Sequence, residues 1–152
     1  MTMKQLAHDL KAAVEDVLPA LRAITEEEAS TPPPKGGWTR KEILGHLIDS
    51  AANNHQRFVR LQLETDLRLP GYQQNNWVGS QRYQERAWAD LVTLWSAYNL
   101  HLAHVVVSID PAALGNGWHG PDGYLTLEET AVDYARHMQH HLNEITTRLG
   151  AE

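Results

Sequence analysis

The stretch from Thr126 to Ile145 leaves the chain little freedom in how it folds. At 100° per residue Leu127, Ala131, Tyr134, Met138, Leu142, Ile145 and Leu149 gather on one arc, so the segment reads as an amphipathic helix that must bury this arc against other helices. The helix also carries His137 and His141 four residues apart, one turn or about 6 Å along the axis. His141 falls at the edge of the apolar arc and His137 at its flank, whereas His140 points further toward the polar side. Two imidazoles so placed can converge on one metal ion, although a helix of a His-rich chain with imidazoles on a half-wet face has the same spacing.

A third ligand has to come from elsewhere in the chain. Thr39 and Glu42 form a capping box that opens a second helix, with Trp38 placed as a staple and Ile43, Leu47, Ala51, Asn54, Phe58 and Leu61 as its apolar stripe. His46 lies at the edge of that stripe and is the candidate third ligand; one lone histidine there also fits a core-edge residue bonded to a carbonyl. Asp49, one turn on, could orient a metal-bound imidazole or accept a proton, or it could be a solvated acid on a helix flank. His55 projects from the far side and receives no role.

The rest of the chain supplies two more helices. Leu6, Leu10, Ala13, Val14, Val17, Leu21 and Ile24 place a first helix over 4–29, with a kink expected at Pro19 and the acids Glu26, Glu27 and Glu28 as its solvated end. Trp88, Leu91, Trp95, Tyr98, Leu102, Val105 and Ile109 alternate steps of three and four, the seam pattern of a bundle helix. His101 and His104 flank that seam as surface residues. The fourth helix opens at a Thr126–Glu129 capping box and is expected to end before Gly150.

Two connections remain. Residues 64–84 form a long crossover in which Tyr72 and Trp77 either pack as satellites of the core or wall a substrate pocket. The Gly-rich segment before Thr126 suits a small hairpin around Pro121, Asp122 and Gly123, with His119 exposed or at a pocket mouth. A crossover in the middle makes the second and third helices parallel, giving an all-α, four-helix bundle of up-down-down-up order. His46 then lies roughly 9 Å inside the start of the second helix and His141 roughly 12 Å from the antiparallel end of the fourth, at matching depth. In an up-down-up-down bundle the two would miss by about two turns.

Composition narrows the function. At 152 residues the chain suits a single domain over 1–152. A net charge of −6 argues against sequence-independent binding to nucleic acid or to an anionic membrane. The N-terminus is polar and no run approaches a membrane span, so a cytoplasmic location is expected. Without cysteine, any sulfur nucleophile must come as a cosubstrate. A small-molecule substrate or a protein partner is left, and the aromatic third helix points to a homodimer.

These residues resemble the DinB-like superfamily, most closely its YfiT-like branch of metal-dependent hydrolases and thiol S-transferases. The likeness rests on Trp38 to Ser50 around His46, on Arg57 and Phe58, on the loop ending Tyr72 to Trp77, and on Tyr134 to His141. It departs from the branch at Ala51 and at Asn143 to Ile145, where further histidines are common. The resemblance implies that His46, His137 and His141 bind a divalent metal with open positions for water or substrate, and that a low-molecular-weight thiol such as bacillithiol or mycothiol can serve as nucleophile. All-imidazole sites take zinc, nickel, iron or manganese. The expected function is hydrolysis or thiol transfer on a small molecule at such a metal, with Asp49 as candidate proton carrier. The alternative is a non-catalytic stress-response module whose metal is structural.

Overall fold

Glu26 joins two helix starts and so reveals the topology. A computed structural model describes residues 1–147, with six helices, α1 (Met3–Ala23), α2 (Glu26–Ser30), α3 (Arg40–Arg60), α4 (Gln74–Gln81), α5 (Trp88–Val107) and α6 (Leu127–Thr147), and three short strands, β1 (Asp66–Arg68), β2 (Gly117–Gly120) and β3 (Gly123–Thr126). The Glu26 carboxylate pairs with Lys41 at the start of α3 and accepts the Trp88 backbone N–H at the start of α5. Those starts therefore share one end of the molecule. At the other end β1, which follows α3, pairs in parallel with β2, which follows α5. Helices α3 and α5 are thus parallel, as the crossover requires.

The remaining directions follow from three hydrogen bonds. The Trp88 indole donates to Leu21 O at 2.7 Å, setting the end of α1 beside the start of α5. Arg40 Nε donates to Ile145 O at 3.3 Å, setting the start of α3 beside the end of α6. Leu127 N–H donates to Asn116 O, and Asn116 reaches Leu61 O at 2.7 Å, so α6 begins where α3 ends. The bundle is up-down-down-up: α1 and α3 each pack on both α5 and α6, with α1 and α3 across one diagonal.

The apolar arcs behave as their periodicity requires. Leu127, Ala131, Tyr134, Met138, Leu142 and Ile145 are all buried, as are Ile43, Leu47, Ala51, Asn54, Phe58 and Leu61 on α3. Leu149 and the end of the fourth helix lie outside the described residues. The capping boxes at Thr39–Glu42 and Thr126–Glu129 both form.

Three expectations need correction. The first helix does not run to residue 29: α1 passes through the exposed Pro19 and stops at Ala23, and α2 restarts with its own Thr25–Glu28 capping box. The acids at 26–28 are its first turn, where they favour the positive end of the helix dipole. The 64–84 connection is not an irregular crossover throughout: it holds the strand β1 and the eight-residue α4. On α5, Trp88 and Trp95 are buried and Tyr98 half-buried, so these aromatic residues serve the core rather than the surface. Among the described residues no helix is long and apolar enough to cross a membrane.

Candidate metal centre

The antiparallel contact of α3 and α6 brings His46, His137 and His141 together. His46 Nε2 and His137 Nε2 face each other at 3.1 Å, and the ligand nitrogens of all three lie within 4.8 Å of one another. The ring centroids form a triangle of 5.0, 4.9 and 4.6 Å. His46 is buried at 1 % exposure, His137 and His141 are half-buried, and the Trp38 ring covers His46 at 5.0 Å. Trp38 thus backs a candidate ligand, a contact that its reading as a staple did not include.

The donor set fits a divalent ion on three counts. Imidazole nitrogens 2.0–2.1 Å from a metal sit roughly 3.3 Å apart at a tetrahedral angle and roughly 2.9 Å apart at a right angle, and the observed 3.1 Å falls between. Burial, then the neighbouring imidazoles, pushes the His46 pKa down to about 4, and burial with His141 and His140 does the same for His137. Both are therefore neutral at pH 7, the form that ligates. Finally, the one polar partner of His46 Nε2 among the described residues is His137 Nε2, so no carboxylate or amide competes with an ion for that lone pair.

The depressed pKa values carry a pH prediction. Unfolded histidines titrate near 6.5 and these two near 4, so between those values the unfolded chain binds more protons. Stability of the metal-free protein is full above about pH 6.5 and is lost as the pH falls toward 4. Asp49, whose carboxyl is held above its usual range by burial, works in the opposite direction. Urea titrations should give a lower midpoint at pH 5 than at pH 7.5; equal midpoints would mean that the imidazoles are not held neutral by the fold.

A second group overlaps the first. His140, His141 and Glu144 also present ligand atoms within 4.8 Å of one another, with His141 Nδ1 3.5 Å from Glu144 Oε2. His140 is exposed, as its helical phase requires, yet it borders the same cleft. Sequence spacing set His140 aside; Glu144, four residues on, was the signal that could have flagged this outer group.

Asp49 is buried at 2 % exposure, and its Oδ1 accepts from Tyr83 Oη at 2.6 Å and Gln81 Nε2 at 2.7 Å. None of the three imidazoles hydrogen-bonds to it, and it does not line the cleft. Its visible work is to fasten the 64–84 connection onto α3. His55 Nδ1 meets Tyr98 Oη at 2.8 Å, His119 meets Asp66 at 2.7 Å, and His101 and His104 are exposed.

His46, His137 and His140 line a cleft of about 760 Å³ between α3 and α6. Tyr72 from the connection walls it, with the Trp77 ring tilted against Tyr72 at 5.3 Å, and the β2–β3 hairpin forms a further wall through Trp118 and Leu125. The hairpin turns at Pro121 and Asp122 because Gly123 takes φ +119°, which side chains disfavour. Its position over the cleft has no local signature in the sequence, since it depends on β2 pairing with β1 across the molecule.

Comparison with known proteins bears on the family and the fold. The sequence profile of the DinB superfamily matches residues 9–145. A protein of Bacillus mycoides (strain KBAB4), named as a candidate metal-dependent hydrolase, is 25 % identical over 146 residues, covering 95 % of this chain and 80 % of its own. YfiT of Bacillus subtilis, named likewise, is 26 % identical over 158 residues, covering 95 % and 78 %. The solved structure of that protein, described as an unusual four-helix bundle, superposes with a TM-score of 0.84 at 22 % identity, over 97 % of this chain and 87 % of the other. That superposition speaks for the fold.

Proposed function

The chain belongs to the DinB superfamily, and on that footing we propose that it is a metal-dependent hydrolase of a small molecule, with a divalent ion held by His46, His137 and His141. The observation that carries the reading is the convergence of three imidazoles, two of which, His46 and His137, line a cleft sized for a small molecule. The names of the Bacillus relatives support it. When bound, such an ion lowers the pKa of water and polarises a carbonyl.

The chain's own residues do the rest. Neutral His46 and His137 keep their lone pairs available at pH 7. Tyr72 offers a hydroxyl on the cleft wall, with the Trp77 ring tilted against its own. We assign Asp49 a positioning role: it holds Tyr83 and Gln81, and through them the connection that carries Tyr72.

A second reading, thiol transfer, draws on the absence of cysteine together with a cleft large enough for two small molecules. The full chain loaded with zinc, nickel or manganese separates the two. Metal-dependent cleavage of a p-nitrophenyl ester or anilide without thiol supports hydrolysis. Metal-dependent consumption of a low-molecular-weight thiol by a chromogenic electrophile assigns transfer instead. Stoichiometric metal with neither activity leaves a structural ion.

A further inference from the structure

Helix α3 presents one stripe to the cleft: His46, Ser50, Asn54 and Arg57. Eleven residues at 100° each return Arg57 to within about 20° of His46 around the helix, roughly 16 Å further along it. Helical side chains lean toward the N-terminus, so Arg57 leans toward the histidines.

Arg57 is only 8 % exposed, and its partners are few. Its guanidinium donates to Asn54 Oδ1 at 3.2 Å and lies over the Trp118 ring at 4.1 Å, while Nε reaches no acceptor. No acid among the described residues pairs with it. Of the acids bordering the cleft, Asp133 is paired with Arg136 and Asp122 sits exposed on the hairpin turn. A buried guanidinium has a planar fork of donors suited to a carboxylate. One amide oxygen and an indole face do not supply the charge that would compensate it.

We propose that Arg57 is the docking point for a carboxylate of the substrate, so that the cleft selects acids whose reacting group lies on the order of 10 Å from that carboxylate. The proposal rests on the cleft being the substrate site of the metal-dependent reaction. A monoanion suits it better than a phosphate. Arg57 is the one cation on the cleft wall without an acidic partner among the described residues, since Arg136 pairs with Asp133, and Asp122 opposes a second negative charge. Tyr72 lines the same cleft as the docking point.

Titration of the full chain with 6-acetamidohexanoate, with its neutral amide and with inorganic phosphate tests this, followed by the indole N–H resonance of Trp118. It is run on metal-free protein, where no ion can capture the carboxylate, and again with nickel. The acid should bind saturably and at least tenfold more tightly than the amide or phosphate. Arg57→Gln should weaken the acid at least tenfold in both forms while metal content stays unchanged, and Arg57→Lys should fall between. Amide binding equal to acid binding overturns the proposal, as does an acid affinity in Arg57→Gln within twofold of the original; tighter phosphate binding overturns the carboxylate assignment. The acid–amide contrast on the unaltered chain decides the matter even if a variant fails to fold. Because the readout is binding without turnover, its failure is distinct from failure of the hydrolase reading, which shows as missing metal or missing cleavage.

Discussion

Alanine at His46, His137 or His141 should strip divalent metal from the purified protein, whereas His140→Ala and His104→Ala should retain it. The expected loss in affinity exceeds the 10–100-fold that removal of an outer hydrogen-bond partner typically costs, because each of these substitutions removes one of three donor atoms. His104 is exposed on α5, far from the cluster in sequence and facing solvent, so it serves as a control for histidine number. His140→Ala is the sharper control, since His140, His141 and Glu144 form a competing group. Elemental analysis of untagged protein, with circular dichroism to confirm folding, reads the result. If His140→Ala and Glu144→Gln release the ion while His46→Ala keeps it, the ion belongs to the outer group and the assignment of the inner one is wrong.

The inner site was legible because everything that builds it is local or periodic. Helical phase separates His137 and His141 from His140, and the capping boxes at Thr39 and Thr126 set the registers of α3 and α6. Depth matching then selects the up-down-down-up order, because only that order brings His46 level with the pair. Harder to read were features whose partners are distant in sequence. Strand β1 is three residues long and exists only because β2, some fifty residues later, pairs with it. Asp49 looks like a flank acid until Gln81 and Tyr83 fold over it. Arg57 resembles an ordinary solvated helix residue until the hairpin lays Trp118 against it. The break between α1 and α2 was different, for Thr25 and Glu28 carry a capping-box signature, and the neighbouring acids drew attention away from it.

Gly45→Ala is expected to destabilise the protein by roughly 1–3 kcal/mol, against the usual sign for glycine in a helix. Propensity alone favours alanine by about 1 kcal/mol in a helix interior. At residue 45, however, a Cβ would fall 2.2 Å from Tyr83 Cδ2 and 2.5 Å from Cγ and Cε2, well inside van der Waals contact. The ring has little room to yield: Tyr83 is 5 % exposed, and its hydroxyl donates to Asp49 at 2.6 Å. Displacing it would remove a hydrogen bond from a buried carboxyl whose Oδ2 already lacks a partner. The absence of a side chain beside His46 is therefore what lets the connection lie flat on α3. Gly79 in α4 is the matched control, since a Cβ there meets nothing within 4 Å, and Gly79→Ala should stabilise by up to about 1 kcal/mol. At about 2–4 °C per kcal/mol for a chain of this size, the two variants should shift the melting temperature in opposite directions. A Gly45→Ala, Tyr83→Ala double variant should lose less than the sum of the single losses, because removing the ring removes the collision. Additive losses, or a Gly45→Ala protein as stable as the original, would show that Tyr83 does not press on this turn of α3.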